Sequence, residues 1–290
     1  MTDFSNKLTT NDILENDQLR SQYIHRIIRR GNRNVPKSDA PVIPYLLVQY
    51  WNDSSAIPSD VQKCIDSWKL LEKFGFRHLL FYDKSAQKFI EENLSIHYLK
   101  AFRRCNHPAM RSDYFRLCFI LVNGGFYSDA DDVYKGSDFK SYFYDERLKL
   151  QPLCYNLLTN SMIKISDSVL APCDSKELIF YVNNNPIIAP PNNPVIYMAL
   201  ERATQTLLNQ FKGDKQDVQS TTGPGNLTIS LARHEIETDQ DNMDLDFMFL
   251  ADWDEIALSQ WPLEYRFDKR NWRLWDGLEK EINKRKADVK

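Results

Sequence analysis

The stretch Arg111–Val133 reads RSDYFRLCFILVNGGFYSDADDV. Just before it and through its first half, Met110, Tyr114, Leu117, Cys118 and Leu121 recur at helical spacing on one face. Pro108 suits a first helical turn, where a missing N–H costs nothing, and Asn123-Gly124 is a helix stop. Phe126-Tyr127-Ser128 then predicts a short strand that delivers the acids Asp129, Asp131 and Asp132. Alternate strand residues share a side, so the Asp129 and Asp131 carboxylates are expected to converge. Crowded carboxylates away from water are costly unless a cation relieves them. A hard divalent ion, Mn²⁺ or Mg²⁺, fits. Mg²⁺ takes one or two carboxylates and fills its octahedron with phosphate oxygens and water.

An Asp-x-Asp pair alone decides little, because the chain has four: Asp129/Asp131, Asp239/Asp241, Asp244/Asp246 and Asp252/Asp254. Only the first follows an aromatic strand and a glycine break. Asp252-Trp253-Asp254 is the best rival, with a helix N-cap as its plainer reading. Asp113 and Arg116 stand three apart and share a helix face, with Arg111 close by. They form either a surface ion pair or a group aimed at the site, where Arg answers phosphate and Asp bonds sugar hydroxyls.

Outward from this segment the pattern is α/β. Ile43–Trp51 predicts a buried strand. Ser59-Asp-Val-Gln62 reads as a capping box, followed by a helix with Val61, Cys64, Ile65, Trp68 and Leu71 at helical spacing that ends at Gly75. Arg77–Tyr82 predicts a second strand, completing a parallel βα unit. Helices are expected near 84–93, 95–105 and from Asn193-Pro194 to about Phe211, and strands at Leu178–Tyr181, Ile187–Ala189 and Leu245–Leu250. Residues 212–222 read as a polar loop. The expected organisation is a polar arm over 1–40, in which Ile24, Ile27 and Ile28 mark a short amphipathic helix, one domain over 41–278, and a basic tail over 279–290.

Composition bounds the function. The chain has 290 residues and a net charge of −3, which argues against a general nucleic-acid binder. Five cysteines without a CxxC suit reduced, buried thiols, and hence a cytoplasmic setting. The start, MTDFSNKLTTNDILEND, lacks the pattern of a signal peptide, and no apolar run approaches membrane-spanning length. Basic runs at Arg20–Lys37 and Lys269–Lys290 are solvated faces, or peripheral contacts with the inner face of a membrane. Four of the nine glycines cluster at Gly124-Gly125 and Gly223/Gly225, where a side chain is expected to be in the way.

RSDYFRLCFILVNGGFYSDADDV resembles the glycosyltransferase sugar-binding region with the DXD motif, found in glycosyltransferase family 32 and more distantly in the large clostridial toxins. Arg111, Ser112, Asp113, Arg116, Gly124, Gly125, Tyr127, Asp129 and Asp131 stand at its fixed positions. IPYLLVQYW, IPSDVQKCIDSW and Thr222-Gly-Pro are similar to further family segments, so the resemblance spans about 42–230. It implies an α/β fold of GT-A type: a Rossmann-like nucleotide-sugar-binding sheet with additional helices. It implies a hexosyltransferase moving sugar from a UDP- or GDP-sugar to a glycan, lipid-linked or protein acceptor, as in polysaccharide biosynthesis, with retention of anomeric configuration.

By the same resemblance, Asp131 ligates Mn²⁺ or Mg²⁺, and Asp129 contacts the ribose or sugar and reaches the metal through water. Asp113 holds sugar hydroxyls and Arg116 lies beside the donor. Gln49, Tyr50 and Trp51 meet the nucleobase, with Arg111 among the donor-binding residues. Asn271 and Trp272 stand in for a C-terminal segment that meets the diphosphate. The chain departs from the family at Val48, where many relatives have His. His234-Glu235 is a candidate base for an inverting enzyme, but reads better as a surface histidine. Alternatives are an effector-type enzyme modifying host proteins, a nucleotide-sugar hydrolase, and a non-catalytic sugar-nucleotide-binding module.

Overall fold

The computed structural model describes residue 13, then 15–172, 175–211, 216–238, 246–260 and 262–275. Outside these fall residues 1–12 of the arm, the tail 279–290, Asp239, Asp241, Asp244, Cys173 and Trp261. Among the described residues, no helix is long and apolar enough to cross a membrane.

The fold is α/β, built on one mixed sheet. Strand β1 (Leu46–Tyr50) leads through helix α2 (Ser59–Ser67) to β2 (Arg77–Phe81), which pairs with β1 in parallel. The capping box does not form: Pro58 holds the N-cap position and makes no side-chain bond there. Gln62 reaches Asp66 instead, at 3.0 Å. Helices α3 (Asp83–Asn93) and α4 (Ile96–Phe102) precede α5 (Pro108–Asn123), which returns the chain to β3 (Gly125–Tyr127), parallel to β1. From there the sheet turns antiparallel, with one exception. β7 (Leu178–Ala189) pairs with β3, and β5 (Leu148–Asn156) lies beyond it, flanked by β6 (Ser161–Ile163) and by β8 (Phe247–Phe249), which pairs with β5 in parallel.

Two readings change here. The strands expected at 178–181 and 187–189 are one strand: Leu178–Val182 and Ile187–Ile188 both pair with β5, on either side of a register shift that spans the polar run Asn183–Asn185. β5 itself was hidden, since Lys149, Gln151 and Pro152 spoil its alternation.

Helix α5 is buried almost all round, Phe115, Phe119 and Ile120 included, so it has no single inner face. It ends at Gly124, φ +65°, where a Cβ would come within 2.7 Å of Pro191. At Gly125, φ +104°, a Cβ would meet the Leu46 carbonyl oxygen at 2.7 Å. Only glycine lets the chain turn here while β1 and β3 stay side by side.

Residues 17–30, read as part of a polar arm, form helix α1 (Asp17–Arg30). Asn16 caps it by accepting from Gln18 and Leu19 at 3.0 and 3.1 Å. Ile24, Ile27 and Ile28 are buried, and His25 stacks on Phe180 of β7 with ring centroids 3.9 Å apart. Three apolar residues on one face suffice to dock an otherwise charged helix. α7 (Pro224–Thr238), opened by the Thr222-Gly-Pro segment, also packs on β7, and α6 (Pro194–Asn209) packs on α7, α5 and α4. A short helical turn, Val218–Thr221, occupies part of the expected 212–222 loop. Cys64, Cys105, Cys118 and Cys154 are free and buried, as expected of structural thiols.

Candidate active site

β3 ends at Tyr127, so Asp129 and Asp131 do not lie on a strand as expected. Asp129–Asp131 form a turn, closed by the Asp132 N–H bonding to the Asp129 carbonyl at 3.2 Å. The chain then enters β4 (Asp132–Tyr134), which pairs with β9 (Ala257–Ser259). The turn, rather than strand alternation, presents Asp129 and Asp131 to one cavity of about 890 Å³. Ala130 tucks inward beside Trp51, Val61 and Leu263.

Asp129 is fixed on both sides. Its Oδ1 accepts from Arg116 Nη2 at 2.9 Å and from the Tyr127 hydroxyl at 3.0 Å. Its main-chain N–H bonds to Asn185 Oδ1 at 3.1 Å, and its carbonyl accepts from Gln49 Nε2 at 3.0 Å. Burial holds its carboxyl above the usual carboxylate range, against the opposing pull of Arg116. Asp131 Oδ2 accepts from the Tyr265 hydroxyl and from Arg266 Nη2. Asp132 lies behind them: its Oδ2 accepts from Asn185 Nδ2 at 2.7 Å, while its buried Oδ1 has no hydrogen-bond partner. Burial, then the neighbouring acids, push its carboxyl far up.

Asp113 and Arg116 are a buried pair, not a surface one, at 2.9 Å. Asp113 also accepts from Asn184 Nδ2 at 2.8 Å and from the Thr222 hydroxyl at 3.4 Å, which places the Thr-Gly-Pro segment at this site. Burial raises the Asp113 carboxyl to about 6. Arg116 is 3 % exposed. It donates to the Asn184 carbonyl at 2.7 Å and lies over the Tyr127 ring at 4.1 Å. Its donors therefore hold the two acids in place.

Tyr50, Trp51, Asp113, Arg116, Asp129, Asp131, Asn271 and Trp272 all line the cavity. Gln49 and Arg111 do not. Gln49 is fully buried, with its amide oxygen 2.8 Å from His78 Nε2 and its amide nitrogen on the Asp129 carbonyl. Arg111 binds Asp83 at 2.9 Å and the Cys105 carbonyl at 3.2 Å. Asp83 also accepts from the Tyr50 hydroxyl. Both residues brace the wall from behind. Asn271 bonds the Arg266 carbonyl at 2.7 Å, fixing the turn that carries Trp272.

The rival pair reaches the same cavity from another side. Asp252, Asp254 and Glu255 line it, Asp254 accepting from Gln151 at 2.8 Å. Asp252 precedes a helical turn but makes no capping bond. His234 is buried, not a surface residue: its Nε2 lies 2.6 Å from Asp246, and it is absent from the cavity wall.

Sequence reasoning missed Asn184, Asn185, Tyr265 and Arg266. Three asparagines interrupting an apolar run were a usable signal for the first two. Tyr265 and Arg266 carried none.

The donor set fits a hard divalent cation shared with substrate phosphate. Two carboxylates sit side by side on the cavity wall, and a third, buried, has an orphaned oxygen. Among the described residues no group of three or more His, Cys, Asp or Glu could hold a metal ion alone.

Residues 58–145 match the glycosyltransferase sugar-binding region containing the DXD motif. In this DXD region lie Asp113, Arg116, Asp129 and Asp131. The chain is also 26 % identical over 93 residues to an uncharacterized glycosyltransferase, L373, of Acanthamoeba polyphaga mimivirus, a match covering 32 % of this chain and 37 % of that protein. Among solved structures, the PaToxG glycosyltransferase is similar, with a TM-score of 0.42 and 19 % identity over 82 % of this chain and 81 % of that one.

Proposed function

We propose that the chain is a glycosyltransferase that moves a sugar from a nucleotide-diphosphate-sugar to an acceptor hydroxyl, with Mn²⁺ or Mg²⁺ and with retention of configuration. The observation that supports this best is the meeting of Asp113, Asp129 and Asp131 on one cavity wall, the first two held by Arg116 and the third by Tyr265 and Arg266. Asp129 and Asp131 would hold the cation, which when bound neutralises charge developing on the diphosphate. Asp113 presents its carboxylate to sugar hydroxyls. Trp51 and Tyr50 offer aromatic surface to a nucleobase at the cavity edge. In the transfer, the bond from the anomeric carbon to phosphate oxygen breaks as the acceptor oxygen bonds to that carbon, and the acceptor proton passes to the departing phosphate oxygen.

The test is a panel of UDP- and GDP-sugars with Mn²⁺, read by release of nucleoside diphosphate. Turnover by the unmodified chain, lost in Asp129→Ala and Asp131→Ala, is the expected result. Silence with every donor, or equal turnover by the variants, refutes the reading.

One observation favours a second outcome for the stereochemistry. Asp254 and Glu255 line the cavity away from the DXD turn, where a general base for inversion could act. The anomeric configuration of the product, read by NMR, decides: an inverted product replaces the retaining route with this one.

A further inference from the structure

We propose that Arg266 and Tyr265 hold the cation's place on Asp131, and that Arg266 passes to the donor diphosphate when cation and donor bind. The inference rests on the glycosyl-transfer reading above and adds residues that the DXD region does not contain.

Tyr265 and Arg266 both donate to one atom, Oδ2 of Asp131. All three side chains line the cavity. The Arg266 and Asp131 side chains are 8 % and 12 % exposed. A carboxylate so placed needs a cationic partner, and Arg266 supplies one from within the chain. Arg266 can hold Oδ2 or yield it. A divalent ion bound to that oxygen would stand close to the guanidinium, and the repulsion between the two positive charges weakens the hold of each on Asp131. Ser259 Oγ also accepts from Arg266 Nη2, at 2.8 Å, so the guanidinium stays tethered beside the cavity once it leaves Asp131.

The other arginines beside the acids are committed. Arg116 holds Asp113, Asp129 and the Asn184 carbonyl, and Arg111 holds Asp83. The segment carrying Arg266 brings Arg270 and Arg273 to the cavity wall as well. Positive charge therefore faces the cavity from this segment, and guanidinium forks match phosphate as well as carboxylate. Arg266 is the member that cation binding would release at the diphosphate.

The test is Mn²⁺ binding to the full chain, read by the EPR signal of free Mn²⁺, alone and with UDP or GDP. Arg266→Gln is expected to bind Mn²⁺ alone about tenfold more tightly, the effect of removing one charge-assisted hydrogen bond from competition. It should bind Mn²⁺ together with nucleoside diphosphate more weakly. Tyr265→Phe should show a smaller gain for Mn²⁺ alone without the second loss. Arg266→Lys, which keeps the charge, should stay near the unmodified chain for Mn²⁺ alone. If Arg266→Gln folds and gains no Mn²⁺ affinity, while the unmodified chain still binds Mn²⁺ with UDP or GDP, this proposal is overturned and glycosyl transfer stands. If Arg266→Gln does not fold, absence of any gain in Tyr265→Phe overturns it equally. Absence of Mn²⁺-dependent binding of either nucleotide by the unmodified chain overturns both readings.

Discussion

Asn185 donates its amide hydrogen to Asp132 at 2.7 Å while its amide oxygen takes the Asp129 N–H at 3.1 Å. One side chain of β7 thus clamps the turn that carries the acids. Asn185→Ala leaves two buried polar groups without partners. Each such group costs about 1–3 kcal/mol. The expected result is a loss of stability of that order in urea denaturation, with a larger fractional fall in kcat/KM as the acids lose their alignment.

Gly125 is a second structural point of control. An added Cβ would stand 2.7 Å from the Leu46 carbonyl oxygen, and its φ of +104° is one that side-chain-bearing residues rarely adopt. The neighbour is backbone of β1 and cannot rotate away. Gly125→Ala should destabilise the chain by more than about 2 kcal/mol, or abolish soluble expression. A thermal melt within a degree or two of the unmodified chain would contradict this.

Asp113 makes stability depend on pH in an unusual direction. Burial raises its folded-state value from 3.8 to about 6, so the folded chain binds this proton more tightly than the unfolded one. Its contribution is fully present below 3.8 and is lost as pH rises through about 6. Asp113→Asn removes that term. The variant's melting temperature relative to the unmodified chain should therefore climb between pH 4 and 7. Parallel melting curves over that range would show that the Arg116 pairing already offsets burial.

Asp145 and Lys149 form a buried pair at 2.8 Å, with Arg147 on the same carboxylate at 2.9 Å. Lys149 is fully buried, and burial lowers its ammonium to about 8 despite Asp145. Its partners pull Asp145 down to about 2, below its ordinary 3.8. The Asp145 contribution is present above 3.8 and is lost as pH falls towards 2. Asp145→Asn leaves a buried ammonium without its carboxylate, and should cost about 3–5 kcal/mol at pH 7. Chemical denaturation of the variant measures it.

Much of the site was legible in the chain because its order is local. Helix α5, the glycine break and the acids follow one another within Pro108–Asp132, and each element is set by neighbours in sequence. Helix period, a proline first turn and glycines with positive φ all act within a few residues. The paired Asp113 and Arg116 were legible for the same reason, being one turn apart. Their burial was not, because it depends on β7 and on Thr222, far along the chain.

The sequence by itself determined the βα unit, the helix that delivers the acids, and the setting of helix, glycine break and aromatic strand that sets Asp129 and Asp131 apart from the other three Asp-x-Asp pairs. Periodicity and turn chemistry are short-range forces, so one stretch suffices to read them. Tertiary structure alone decided the rest. It made one strand of two across Asn183–Asn185, since the segments on both sides of that run pair with the same strand, β5. It docked α1 on the sheet through three isoleucines. It set Asn185, Tyr265 and Arg266 on the acids, and placed Gln49 and Arg111 behind the wall. The contacts on the acids join residues up to 135 positions apart, and only the packed chain brings them within hydrogen-bonding distance.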